Sequence, residues 1–202
     1  YYPVEEDERG TYIFNSKDLC LLASIASLVD IGVDSLKIEG RMKSIFYVAS
    51  VTRVYRAALD FLSEIPQEMW DEPEEIILPD KIFSEIELCG TRGTTENFSH
   101  QKPTGKDMIY SSSRAVHHAE PVGVIRDNDN DLSVEIRNTL VLGEKIEYMA
   151  PNFTEQTVNV DKIISEKGDQ LEKAHPGNLV KLFTSPPLQN GEVLGILRRR
   201  VV

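Results

Sequence analysis

The chain contains 202 residues, of which 41% are hydrophobic, a length that suits one medium domain or two small ones. Its 22 lysines and arginines against 33 aspartates and glutamates give a formal net charge of −11. This excludes nucleic-acid binding driven by the overall charge of the chain, although a local basic patch is compatible with it. No apolar run is long enough to cross a bilayer, so we expect a soluble cytoplasmic protein. The chain opens with Tyr-Tyr-Pro rather than Met, and we interpret it as part of a longer protein.

Residues 1–64 show an alternating pattern of strands and helices. An apolar run at 12–14 predicts a strand, and the N-cap residues after it predict a helix with Asp18 in its first turn, where the helix dipole favours a carboxylate. Ser44 is expected to cap a second helix, whose solvated side carries Arg53, Arg56 and Asp60. This βαβα portion is too short to close a barrel or to bury a two-sided sheet alone.

Residues 35–41, between these helices, predict a strand that ends in a polar turn. Leu36 and Ile38 share one face of the strand, whereas the other face carries polar side chains such as Lys37 and Glu39. One interpretation is a barrel strand whose polar face lines the interior, with Glu39 and Arg41 at its carboxyl end, where (β/α)8 barrels keep their chemistry. The other is an edge strand with a solvated face, and the stretch alone leaves both open.

The rest of the chain changes character twice. Residues 65–116 are rich in Pro, Glu, Ser, Thr and Gly and predict a linker with a short helix at 80–88 and a polar loop at 89–98. That loop lacks the lysine of a phosphate-binding loop, so we interpret it as a connection. From residue 117 about six short strands between Gly, Pro and Asn turns predict a small closed β-barrel, a recognition or packing module.

The segments at 6–20 and 32–44 closely resemble the peptidase U32 family, the collagenase-like proteases, and the likeness extends over residues 6–63. Around Arg92 the family tends towards Arg-Gly-aromatic-Thr-x-Gly-Phe, whereas Thr94 and Asn97 stand here in place of the aromatic residue and the second glycine. The predicted barrel is similar to the family's C-terminal domain, which looks like the second domain of elongation factors. Residues 143–149 and 174–177 are its recognisable pieces.

The resemblance implies an α/β fold followed by an all-β one. The βαβα portion would be the last part of a (β/α)8-like catalytic domain at 1–64, and after the linker at 65–116 a six-stranded barrel like elongation-factor domain 2 would occupy 117–202. Family members related to tRNA and rRNA hydroxylation proteins are implied to bind an iron–sulfur cluster through four cysteines, and Cys20 matches the last of them. A single thiolate cannot hold a cluster, so we expect none in this chain by itself.

Besides Cys20, the resemblance and the strand pattern together nominate six site residues. The candidate catalytic residues are Glu39, Arg41 and Lys37. The candidate substrate-binding residues are Arg9, Lys43 and Arg92. An arginine at the strand end can hold a substrate carboxylate in a two-pronged contact, and a glutamate beside it can orient the substrate or move a proton.

Three hypotheses of function follow. The first is RNA modification by the longer protein, a prephenate-dependent 5-hydroxylation of a tRNA (or rRNA) uridine in which the barrel holds RNA. The second is proteolysis, which needs a nucleophile or a metal site. The third is a non-catalytic binding module. We favour the third for the isolated chain and the first for the longer protein. We expect the longer protein to act on tRNA or on a protein substrate, and to assemble as a homo-oligomer or with a paired U32 paralogue. We expect no association with a membrane.

Overall fold

A computed structural model of the chain describes residues 4–8, 10–13, 15–96, 99, 108–109, 118–128, 131–188 and 193–201. Its helices are α1 (Ile25–Asp30), α2 (Ile45–Ser63) and α3 (Asp80–Leu88), with two 3-10 turns, Gln67–Asp71 and Pro73–Glu75, between the last two. The strands are β1 (Val4–Asp7), β2 (Gly10–Ile13), β3 (Asn15–Ser16), β4 (Asp18–Leu19), β5 (Thr94–Thr95), β6 (Met108–Ile109), β7 (Ala119–Asp127), β8 (Ser133–Ile136), β9 (Leu140–Val141), β10 (Lys145–Met149), β11 (Glu155–Ser165), β12 (Gln170–Leu171), β13 (Lys173–Ala174), β14 (Leu179–Ser185) and β15 (Ile196–Arg200). No described helix has the length and apolar character that crossing a membrane requires.

Helix α2 organises the helical unit. The Ser44 hydroxyl accepts a hydrogen bond from the Tyr47 backbone N–H at 3.1 Å, which confirms the predicted N-cap. The buried face of α2 packs against α1, α3 and the segment before α3 in one apolar core that includes Ile25, Val54, Ala58, Leu62, Leu78, Ile82 and Ile86. Arg56 and Asp60 form an ion pair that is exposed to solvent, as predicted. The prediction that Arg53 is also solvated is wrong, because its side chain is buried.

The first helix begins later than predicted. The residues expected to cap and open it lie in β3 and β4 instead, and α1 starts only at Ile25. Strand β4 runs parallel to β5, and the Asp18 and Cys20 N–H groups donate to the carbonyls of Gly93 and Thr95 at 3.0 and 2.9 Å. These contacts with a distant segment take the backbone groups that a helical turn would use.

The strand predicted within residues 35–41 does not form in this chain. Residues 33–40 carry no helix or strand, and no described segment pairs with them. A β-strand is stabilised by backbone hydrogen bonds to a neighbouring strand. An extended segment without such a neighbour therefore does not form a strand. Gly40 anchors the segment by close approach to α2, because a Cβ at this position would lie 2.6 Å from a Val48 methyl carbon.

The second half of the chain is a closed six-stranded antiparallel barrel, which confirms that part of the predicted fold. The strands follow the order β10–β15–β7–β8–β14–β11, and β11 pairs with β10 to close the ring, while β12 adds to β11 at its edge. The predicted alternation of β8 holds, because Val134 and Ile136 are fully buried in the barrel core. A second apolar contact, made by Phe46, Leu88, Ala119, Met149 and Ile196, joins α2 and α3 to the barrel.

A buried cluster of charged side chains joins the same two units. Arg198 on β15 has no exposed surface and donates to both carboxylate oxygens of Glu85 on α3, at 2.9 and 2.8 Å, and to Glu147 and Glu155 of the barrel. Arg53 on α2 donates to Glu85 at 3.0 Å and to the carbonyls of Ala150 and Thr154. We call Arg53, Glu85, Glu147, Glu155 and Arg198 the junction cluster.

The arginines and glutamates of the junction cluster pair with one another and shift one another's pKa values. Burial alone would raise the pKa of Glu85, but the hydrogen bonds with Arg198 and Glu155 and the positive charges of Arg198 and Arg53 outweigh it and hold that pKa at about 2. Burial raises the pKa of Glu155, and the neighbouring Glu85 carboxylate raises it further. Burial would lower the pKa of Arg198, yet its contacts with Glu85 and Glu147 raise that pKa above its ordinary value.

We expect Arg198→Met to lower the free energy of unfolding by about 3–5 kcal/mol, because it leaves the Glu85 carboxylate buried without its main partner. Arg200→Met is the matched control on the same strand. It removes an exposed guanidinium that pairs with Glu147 at 2.7 Å, and should cost less than about 1 kcal/mol. Urea denaturation followed by circular dichroism measures both, and equal losses would contradict the central role of Arg198.

We also expect stability to fall in acid because of Glu85. Its pKa is about 2 in the folded chain against an ordinary 4.5, so the unfolded chain binds more protons in this window. The stability that it contributes is present above pH 4.5 and is lost as the pH falls towards 2, on the order of 3 kcal/mol in all. Urea denaturation at successive pH values should show a flatter acid loss for Glu85→Gln.

Candidate functional site

One cleft of about 690 Å³ brings together most of the predicted site residues. It lies between residues 33–43, the β4 segment and the face of α2 that carries Tyr47, Val51 and Tyr55. Five predicted site residues line it: Lys37, Glu39, Arg41, Lys43 and Arg92. Arg9 lies outside the described residues.

Asp18 is the central polar residue of this cleft. Its Oδ2 accepts from the Lys43 ammonium at 2.8 Å, and its Oδ1 accepts from the Arg92 Nε and Nη2 at 3.2 and 3.0 Å. The Arg92 backbone N–H also donates to Oδ2, at 3.3 Å. Burial would raise the pKa of Asp18, but the hydrogen bonds from Lys43 and Arg92 outweigh it and lower that pKa. The carboxylate is therefore ionised at neutral pH.

Sequence reasoning placed Asp18 in a helix turn and missed this role. Its two partners, Lys43 and Arg92, stand 25 and 74 positions from Asp18 along the chain, so no local spacing signals their contact. The β4–β5 pairing is what brings Arg92 to Asp18.

Lys37 and Glu39 lie at the mouth of the cleft. Their charged groups are 2.7 Å apart, and the side chains are 85% and 71% exposed. The hydrogen bond with Glu39 raises the pKa of Lys37. Water screens such a pair strongly, so the contact orients the two groups more than it stabilises the fold. Arg41 is exposed beside them.

Cys20 lies next to the cleft, against Tyr55. Its sulfur is 3.8 Å from the Tyr55 hydroxyl oxygen, which also accepts the Leu21 backbone N–H at 3.2 Å. Burial raises the pKa of Tyr55, so the phenol stays neutral at physiological pH, and burial also raises the pKa of Tyr47 to about 12. The phenol of Tyr55 thereby fixes the backbone around Cys20.

The iron–sulfur cluster that the resemblance implies needs several cysteine ligands. The described part of the chain contains no group of three His, Cys, Asp or Glu side chains able to hold a metal ion. Cys89 is buried, and its thiol donates to the Ile86 carbonyl at 2.9 Å. Cys20 alone supplies one ligand, and an iron–sulfur cluster needs several, so the described residues by themselves do not fit the group.

We expect thiol labelling of the native chain to distinguish its two cysteines. Burial raises the pKa of Cys89 to about 12, so at about pH 8 only about one such thiol in ten thousand is ionised. Cys20 is partly exposed and should react with iodoacetamide at least about ten times faster. Cys20→Ser and Cys89→Ser assign the two phases by mass spectrometry, and a fast phase that survives Cys20→Ser would contradict the arrangement.

Comparisons with known proteins identify relatives over most of the chain. The model of peptidase family U32 matches residues 1–109, and the model of the U32 C-terminal domain matches residues 118–198. The tRNA hydroxylation protein P1 of Bacillus subtilis is 31% identical over 179 residues, which are 87% of this chain and 41% of that protein. The tRNA hydroxylation protein P of Escherichia coli is 35% identical over 188 residues, 88% of this chain and 37% of that protein.

A solved structure is also similar, the C-terminal domain of a U32 peptidase from Geobacillus thermoleovorans. It is 24% identical, with a TM-score of 0.35, and the match covers 41% of this chain and 93% of that one. The chain spans about two fifths of the length of the two curated relatives. With the family model matched over more than half of its residues, the chain belongs to peptidase family U32.

Proposed function

We propose that the longer protein containing this chain modifies tRNA by hydroxylation, and that the cleft forms part of its active site. The observation that carries the proposal is the gathering of Lys37, Glu39, Arg41, Lys43 and Arg92 on one cleft. The names of the two tRNA hydroxylation relatives supply the reaction class. The finer proposal is a prephenate-dependent 5-hydroxylation of uridine, with an rRNA substrate as the alternative.

The cleft residues suit this proposal in different roles. Arg41 is an exposed cation at the mouth that can hold a substrate carboxylate through two parallel hydrogen bonds. Glu39 is the adjacent carboxylate that can orient the substrate or move a proton. The Lys37 Nζ lies 2.7 Å from the Glu39 Oε1 and pairs with that carboxylate. Lys43 and Arg92 sit deeper and carry the proposed substrate-binding role.

The cofactor belongs to the longer protein. We propose an iron–sulfur cluster with Cys20 as one ligand, and the remaining ligands must come from outside the described residues. The Tyr55 contact gives Cys20 a fixed backbone position beside the cleft, which is what a ligand at the edge of an active site requires.

The other parts of the chain have supporting roles in the proposal. We propose a catalytic portion at 1–64, a connecting segment at 65–116 and a barrel at 117–202 that serves as a recognition module for RNA. The junction cluster would hold that module in a fixed position relative to the cleft. Cytoplasmic location and pairing with another copy or a U32 paralogue are parts of the same proposal.

Proteolysis is the less favoured alternative. A cysteine nucleophile needs a base beside it, and here Cys20 contacts a tyrosine hydroxyl while Cys89 contacts a backbone carbonyl. The proposal that the isolated chain is a non-catalytic binding module stays compatible with tRNA hydroxylation by the longer protein.

The test uses the longer protein, purified without oxygen and supplied with tRNA and prephenate. We expect 5-hydroxyuridine in nucleosides analysed by mass spectrometry, and a loss of at least about 100-fold in rate for Glu39→Gln and for Arg41→Met. Arg56→Met is the matched control, because Arg56 is exposed on α2 and pairs with Asp60.

Two outcomes would overturn the proposal. One is a protein without iron and without hydroxylated uridine under these conditions. The other is an activity that cleaves denatured collagen, copurifies with the protein and is lost in Glu39→Gln. Such a result would assign the cleft to proteolysis instead.

A further inference from the structure

We infer that Asp18 is a positioning residue that holds Lys43 and Arg92 together as a binding site for an oxyanion, either a carboxylate or a phosphate. The inference deepens the proposed function and rests on it for the identity of the substrate. The anion site itself rests on the geometry of these three side chains, which we call the Asp18 triad.

The charge balance of the Asp18 triad favours an anion. One carboxylate faces two cations, so the group keeps one uncompensated positive charge. The side chains of Asp18, Lys43 and Arg92 are 10%, 25% and 29% exposed, so the carboxylate lies deepest and both cations reach the cleft. Partial burial strengthens the attraction of that charge for an anion relative to open water.

The junction cluster shows the contrasting arrangement. There, two arginines meet three glutamates, and Arg198 has no exposed surface. Among its own five members that cluster has no excess of positive charge, and its two guanidinium groups, 6% and 0% exposed, do not reach solvent as Lys43 and Arg92 do. The Asp18 triad differs in both respects, which separates a ligand site from a purely structural group of charges.

Donors remain available on both cations. Arg92 contacts Asp18 through Nε and Nη2, and its Nη1 has no partner in the described part of the chain. Lys43 makes one hydrogen bond to Asp18 and lies 4.6 Å from the centre of the Tyr47 ring, and an ammonium carries three donors. A guanidinium edge next to an ammonium is a favourable pair of donors for carboxylate or phosphate oxygens.

The backbone fixes the triad before any ligand arrives. Asp18 lies in β4, which pairs with β5, and its N–H donates to the Gly93 carbonyl at 3.0 Å. Gly93 has a φ of +77°, a conformation that favours glycine and turns the loop back towards β4 directly after Arg92. Asp18 therefore holds the Lys43 and Arg92 side chains at the β4–β5 pairing before a ligand binds, which lowers the entropic cost of binding.

The experiment titrates the 202-residue chain with phosphate and with malonate at low ionic strength, by isothermal calorimetry. We expect binding of at least one anion, weakened at least about tenfold by Lys43→Met and by Arg92→Met. Lys181→Met is the matched control, because the Lys181 ammonium also pairs with an aspartate, Asp131 at 2.8 Å, but lies on the barrel and does not line the cleft. Lys43→Arg keeps the positive charge and should therefore lose less anion affinity than Lys43→Met.

Asp18→Ala tests positioning by the sign of its effect. Removal of a carboxylate adds positive charge, so simple electrostatics predicts tighter anion binding. We expect the opposite, a loss of at least about fivefold, because the two cations lose the residue that holds them together. Thermal unfolding of each variant verifies that it is folded, and Asp18→Asn provides a folded substitute where Asp18→Ala is not.

The outcomes separate the anion site from the proposed reaction. Tighter phosphate binding assigns the site to a phosphate of the RNA, and tighter malonate binding assigns it to a small carboxylic acid. No binding of either anion, equal binding by Lys43→Met and the parent chain, or tighter binding by Asp18→Ala would overturn the inference. Since no hydroxylation is measured, these results do not depend on whether the longer protein carries out the proposed reaction.

Discussion

The contact between the Arg198 guanidinium and the Glu85 carboxylate is the interaction on which the arrangement of this chain depends. It crosses from the barrel to α3 through two hydrogen bonds in a site without solvent exposure. A buried ion pair contributes little net stability over an apolar contact of the same size, but a misplaced one is costly. The junction cluster therefore specifies one docking geometry between the two units, while the surrounding apolar contact supplies much of the burial energy.

Helix α2 transmits that geometry to the cleft. Phe46 and Arg53, seven positions apart, face the barrel, whereas Tyr47, Val51 and Tyr55, at spacings of four, line the cleft. Residues at these spacings share a side of a helix. One helix thus carries the junction with the barrel on one side and the support of Cys20 on another, so the barrel and the cleft share a single structural element.

Sequence reasoning succeeded where the determinants are local and failed where they are distant. The Ser44 cap and the alternation in β8 follow from neighbours within a few residues, and both are observed. The burial of Arg53 could not be predicted, because helical periodicity marks it as solvated and its partner Ala150 stands 97 positions away. The cleft residues at 37–43 were found through their pattern and the family resemblance, whereas Asp18 was missed because only the β4–β5 pairing reveals its partners.

The overall acidity of the chain is a poor guide to its cleft. A net charge of −11 describes the whole molecule, but screening limits each charge to about 10 Å at moderate ionic strength. Within that distance of Asp18 the nearest charged partners are Lys43 and Arg92, and Lys17 lines the same cleft. An anionic substrate that reaches the cleft meets this local field first, so the negative sum does not prevent an acidic partner from binding there.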